Sequence, residues 1–221
     1  MEKSILSPRQ LDFLELINQN KEIAKKFYWT GGTVLSEFYL HHRLSEDIDL
    51  FCENEEVNQE VVEAFLKKSQ SPLGFQSIKR AQFLGLFSYH LIYNQKESLK
   101  VDFSYYPFPR IERDSKYKNI EIDSLHDIAA NKIHTIAVKP RARDFIDIYF
   151  IIKENNYEFH KLLMDAKVKF DWHIDPIELG SQLLRAQDLK DYPKMIKKID
   201  HRDWQQFFLK EAEKLKKEIL K

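Results

Sequence analysis

The chain has 221 residues, 43% of them hydrophobic and 32% charged. That length allows one large domain or two small ones, and the composition is too apolar for a disordered protein. Lys+Arg and Asp+Glu both number 35, which excludes a general electrostatic pull toward nucleic acid, so any polyanion site must be a local patch.

Ser7, Pro8 and Gln10 form a helix start with a capping box, followed by an apolar stripe of Leu11, Leu14, Leu16 and Ile17. A short helix is expected over 22–26 and a strand over 27–29, broken by Gly31 and Gly32. Val34, Leu35, Phe38 and Tyr39 then mark one face of a helix. A strand over 47–51 and a helix over 57–67 come next. Residues 82–93 read as one strand, residues 94–97 as a polar turn, and 99–105 as the returning strand. Beyond Tyr106-Pro107-Phe108-Pro109 the pattern turns helical, with a capping box from Ser124, a buried helix over 145–152 and an amphipathic helix from Trp204. The expected organisation is α+β: a mixed sheet flanked by helices over 1–110, then a helical half over 111–221.

The single cysteine, Cys52, excludes an intramolecular disulfide and a thiolate zinc site. MEKSILSPRQ lacks a signal core and no apolar run is long enough to cross a bilayer, so the expected setting is cytoplasmic, with no membrane.

Asp47 and Asp49 alternate with Ile48 and Leu50. In a strand, residues two apart point the same way, roughly 6.5–7 Å apart, so the two carboxylates share a face. They repel unless a cation lies near them, and oxygen-only ligands suit Mg2+, or Mn2+. Asp102, on the polar face of its own strand with Lys100 and Ser104, is the natural third carboxylate. Three such ligands could hold metals that stabilise an in-line phosphoryl displacement, with an NTP as substrate. An isolated D-x-D more often lines the solvent side of an edge strand. Here Gly31-Gly32-Thr33 stands upstream, where a bare backbone at a helix start favours an anion and Thr33 adds a hydroxyl.

Gly31-Gly32-Thr33 followed by Asp47-Ile48-Asp49-Leu50 resembles the signature of the DNA polymerase beta-like nucleotidyltransferases. The fuller string, GGTVLSEFYLHHRLSEDIDLF, is similar to the AbiEii/AbiGii-type toxin branch, with His42-Arg43 and Ser45 in order. The likeness extends to DIAANKIHTIAVKPRARDFIDIYFI, where Lys132, Arg143, Asp144 and Asp147 match. It implies a polymerase-beta-like core and a metal-dependent toxin of toxin–antitoxin or phage-abortive (abortive infection) type. Such an enzyme moves a nucleoside monophosphate to an acceptor hydroxyl, with RNA (a tRNA 3′ end) as acceptor and an antitoxin as partner. On that resemblance Asp47, Asp49 and Asp102 bind metal. Gly31, Gly32, Thr33, Arg43, Ser45 and Lys132 contact the nucleotide, and Asp144 orients Lys132 or acts as a base.

Spacing alone leaves Lys132 open. It falls within the apolar stripe of Leu125, Ile128, Ala129, Ile133 and Ile136, so its amine must either snorkel out to water or meet an anion, whether a phosphate or Asp144 or Asp147 on the next helix. Asp147 is expected to be structural, paired with Arg143. The rival functions are transfer to a small molecule or a protein side chain, and a non-catalytic nucleotide-binding module.

Overall fold

The computed structural model describes residues 4–113 and 115–219, and the chain divides into two compact units. The first comprises Met1–Tyr39 and Ser45–Ser124, the second Leu40–Leu44 and Leu125–Lys221.

In the first unit, α1 (Pro8–Gln19) starts as its sequence dictates. The Ser7 hydroxyl accepts from the Gln10 N–H, and the Gln10 side chain accepts from the Ser7 N–H. Its buried face is Phe13, Leu14 and Ile17, whereas Leu11 is exposed; the stripe is rotated by Phe13, the larger side chain. α2 (Lys21–Lys26) leads into β1 (Tyr28–Thr30), then α3 (Gly31–Val34), which runs on as a widened helical turn over Leu35–Leu40. β2 (Ile48–Cys52) follows, then α4 (Gln59–Leu73), capped by Asn58 and ended by Gly74 with a positive φ of 71°.

The strand expected over 82–93 is in fact a hairpin. β3 (Ser77–Phe83) and β4 (Leu86–Ile92) pair antiparallel about Leu84 and Gly85. Leu84 takes φ 50° and is 81% exposed. The turn is built partly from an apolar residue, so the run Phe83-Leu84-Gly85-Leu86-Phe87 hides the usual polar turn signal. β5 (Ser98–Tyr105), β6 (Lys116–Tyr117) and β7 (Ile120–Ile122) complete a seven-stranded mixed sheet in the order β3-β4-β5-β2-β1-β7-β6. β2 runs parallel to β5 and antiparallel to β1. Its Ile48 and Leu50 are fully buried, with Asp47 and Asp49 half-exposed on the other face, the alternation that period two requires.

The second unit is helical: α5 (Leu125–Val138), α6 (Ala142–Asn155), α7 (Phe159–Lys169), α8 (Pro176–Leu184) and α9 (His201–Ile219). α5 packs on α6 and α7, and α8 on α9. Ile133, Ile136, Phe145, Ile151, Leu162, Trp204 and Phe208 are all essentially buried here. Residues 40–44 join this unit through backbone bonds: Leu44 N–H donates to the Lys194 carbonyl, and Ile196 N–H to the His42 carbonyl. Among the described residues no helix is long and apolar enough to cross a membrane.

Candidate active site

The first unit carries the acidic strand and its glycine turn. Gly31 has φ +82°, where an L side chain is strained. A Cβ built on it would lie 2.1 Å from Asp49 Oδ2. The glycine is thus required twice, by its backbone and by the carboxylate resting against it. Gly32 follows in the first turn of α3. Thr33 is buried, and its hydroxyl donates to the Asp47 carbonyl oxygen. The hydroxyl expected to meet a phosphate therefore ties the glycine turn to the start of the acidic strand, leaving only its backbone N–H for an anion. Ser45 is held through its carbonyl, which accepts from Gln10 Nε2 at 3.0 Å.

Register places the acids. Asp49 on β2 stands directly beside Asp102 on β5, with Thr30 of β1 on its other side. Asp47, one residue before β2, completes three carboxylates near one face of adjacent strands. A residue not assigned from the sequence joins them: Lys100 Nζ lies 2.6 Å from Asp102 Oδ2 and 3.4 Å from Asp47 Oδ2. Ser88 of β4 donates to the other Asp102 oxygen. Burial works against the Lys100 charge, but its bond to Asp102 and the charges of Asp102, Asp47 and Asp49 outweigh this and raise its pKa. The signal was present in the chain, since Lys100 precedes Asp102 by two and shares its strand face.

With the ammonium so placed, no group of three or more His, Cys, Asp or Glu side chains among the described residues converges on a metal position. The donor chemistry nonetheless fits a hard divalent cation: carboxylate oxygens near one face, with a positive charge already drawn in among them.

The second unit carries the other expected residues. Asp147 is fully buried and meets Arg43 through two bonds, Nε at 2.6 Å and Nη2 at 2.8 Å. His42 Nε2 lies 2.7 Å from the same carboxylate and Lys132 Nζ 2.7 Å. Asp147 therefore pairs with Arg43, not with Arg143 as the i, i+4 spacing suggested. Arg43, expected at the phosphate, is 2% exposed and spends its fork on this acid. Lys132 also meets Asp144 at 2.7 Å, and Arg141 Nε meets Asp144 at 2.9 Å. Burial pushes both carboxyls up, yet Arg43 and Lys132 bring Asp147 well below the usual range, and Lys132 and Arg141 bring Asp144 below it. Burial lowers the His42 pKa despite Asp147. Its Nδ1 is buried without a hydrogen-bond partner, as suits a neutral ring donating from Nε2.

The profile of the nucleotidyl transferase AbiEii toxin family, of type IV toxin–antitoxin systems, matches residues 12–217. An uncharacterised protein of Aquifex aeolicus is 29% identical over 178 residues, covering 76% of this chain and 78% of its own. Among solved structures, a protein of H. pylori described as a nucleotidyltransferase aligns with TM-score 0.58 and 21% identity, over 96% of this chain and 97% of its own. JHP933 from Helicobacter pylori aligns with TM-score 0.56 and 20% identity, over 96% and 94%. MenT4, a nucleotidyltransferase toxin of Mycobacterium tuberculosis, gives 0.55 and 12%, over 95% and 86%. At these identities the structural likeness speaks for the fold.

Proposed function

The chain belongs to the AbiEii family of nucleotidyltransferase toxins, and from that premise we propose that it transfers a nucleoside monophosphate from an NTP to an RNA 3′ hydroxyl, a tRNA end being the expected acceptor. The acceptor oxygen attacks the α-phosphorus, the bond to the β-phosphate breaks, and pyrophosphate leaves. The hydroxyl proton passes to solvent or a nearby base. The reaction runs in the cytoplasm, and a cognate antitoxin restrains it.

One observation carries this reading: Asp49 lies in register with Asp102 beside Asp47, and packs against the bare backbone of Gly31. Asp47, Asp49 and Asp102 would hold a divalent cation, magnesium or manganese, which supplies charge neutralisation at the transferring phosphoryl group. The backbone N–H groups of Gly32 and Thr33 would supply donors for phosphate oxygens, beside the Asp49 carboxylate that rests against Gly31. Asp102 enters the reaction only once Lys100 releases it. Lys132 has three N–H donors and two carboxylate partners, so one donor remains unspent. Asp144 takes the orienting role rather than that of a base, being buried and held ionised by Lys132 and Arg141.

The test is incubation with labelled NTPs, magnesium and total RNA, alongside Asp49→Ala. Label should appear in RNase-sensitive product for the wild type and fall about a hundredfold or more in the variant. Absence of transfer from every NTP, or equal transfer by the variant, sinks the proposal.

A further inference from the structure

The first unit holds a second charged feature, at the far end of β1 and β2 from Asp49. There a cavity of about 500 Å³ is bounded by α2, the start of β1, the residues after β2 and the segment that follows Pro109. Lys21, Lys25, Lys26, Arg110, Arg113 and Lys116 line it, against only Glu53 and Glu121 among the described residues. In a chain with no net charge, this is the local patch that polyanion binding demands.

The two acids are already committed. Glu53 accepts from the Arg110 backbone N–H and pairs with Arg113, and Glu121 pairs with Arg110 Nη2. Lys26 pairs with Glu55. The Lys21, Lys25 and Lys116 side chains are exposed and make no ion pair or hydrogen bond with the described residues, so the surplus of the patch is positive. The Arg110 side chain is only 5% exposed, stacks on Tyr28 at 4.4 Å, and its Nη1 has no hydrogen-bond partner. Arg110 thus adds a fixed, mostly buried positive charge beside the exposed lysines.

We infer that this cavity is a phosphate-binding site separate from the acidic strand, and that it takes the backbone phosphates of the RNA acceptor. From Asp49 to Glu53 is about 13 Å along the strand, at roughly 3.3 Å per residue, so the two sites hold different phosphates. Phe27 and Tyr28 are 5% and 3% exposed, and no open aromatic face awaits a base. Recognition here is therefore of charge and not of sequence. The choice of RNA rests on the acceptor proposed above, whereas the phosphate site does not.

Binding of a short fluorescent single-stranded RNA of mixed sequence, measured by anisotropy in EDTA, isolates the site from transfer. Lys25→Gln/Lys116→Gln should weaken binding about tenfold and flatten the salt dependence by about 1.4, at ~0.7 per lost phosphate contact. The charge-matched control Lys67→Gln/Lys68→Gln, on exposed α4 positions, should leave both unchanged. Parallel titrations with ATP and with inorganic phosphate separate the sources. A loss confined to RNA assigns backbone phosphates, and an equal loss for ATP assigns the free nucleotide and overturns the RNA assignment. If neither RNA nor ATP binding changes, or the control changes as much, the site itself is overturned. Wild-type protein that transfers label while the lysine variant binds normally would keep the proposed function and remove this site; lost binding without any transfer would do the reverse.

Discussion

The Lys100 cluster of the first unit and the Lys132 cluster of the second are built from the same parts, two carboxylates around one ammonium. They differ in access to water. Side-chain exposure is 32% for Lys100 and 30% for Asp47, against 10% for Lys132 and 0% for Asp147. Asp147 also draws on Arg43 and His42, so a sealed acid is surrounded by donors. The sealed cluster cannot lose a member without leaving a charge stranded, because water cannot replace the partner. In the open cluster water can reach Lys100 and Asp47, so losing the ammonium strands no buried charge on Asp47. The same parts are thus sealed from water in one unit and half-open to it in the other.

The largest effect should come from breaking the sealed cluster. Asp147→Ala leaves Arg43, His42 and Lys132 buried without their shared acceptor, and should cost roughly 3–5 kcal/mol in denaturant unfolding. A loss under about 1 kcal/mol would show the staple to be dispensable.

Gly31→Ala tests the open side by sterics rather than charge. The positive φ alone costs an alanine about 1–2 kcal/mol, and its Cβ displaces the Asp49 carboxylate. Transfer should fall far more than stability does; an unaffected rate would detach the glycine from the acid.

Lys100→Met tests the open cluster by charge. Without its ammonium the acids should bind Mn2+ about fivefold tighter, since a half-exposed, screened ion pair is worth up to ~1 kcal/mol. Calorimetric titration reads this directly, and an unchanged or weaker affinity would mean that Lys100 does not compete for the acids.

The smallest effect is the pH response of the sealed cluster. The folded His42 pKa is lowered, so unfolded protein binds the extra proton. Stability is then complete above about pH 6.5 and declines as pH falls below it, at no more than ~1.4 kcal/mol per pH unit. His134, lowered by burial, adds a similar slope. Asp144 and Asp147, depressed in the folded state, contribute stability that persists down to about pH 3.9 and is lost as pH falls further toward their folded values. His42→Asn should remove part of the upper slope in thermal melts between pH 7 and 5, and an identical slope would contradict the assignment.

The sequence made the open cluster more legible than the sealed one. Period two put Asp47 and Asp49 on a common face and Asp102 on its own polar face, and the register of β2 with β5 brought them together. Lys100 was visible on the same face as Asp102, but its reach to Asp47 depends on that strand pairing, which no local pattern encodes. Arg43 and Asp147 lie 104 residues apart, so the helical spacing of Arg143 offered a nearer and mistaken partner. The β3–β4 turn escaped because Leu84 adopts a backbone that asparagine or glycine usually supplies.

The five residues 40–44 leave the first unit, join the second and return before the acidic strand begins. During synthesis this segment emerges long before Asp147, so His42 and Arg43 wait on the ribosome's later output for their acceptor. A chain halted after Ser124 would carry the complete acidic strand and glycine turn, yet leave those two cationic-capable side chains without a home. The docking of this segment is thereby tied to the translation of α6 and then of residues 194–197, whose backbone holds His42 and Leu44.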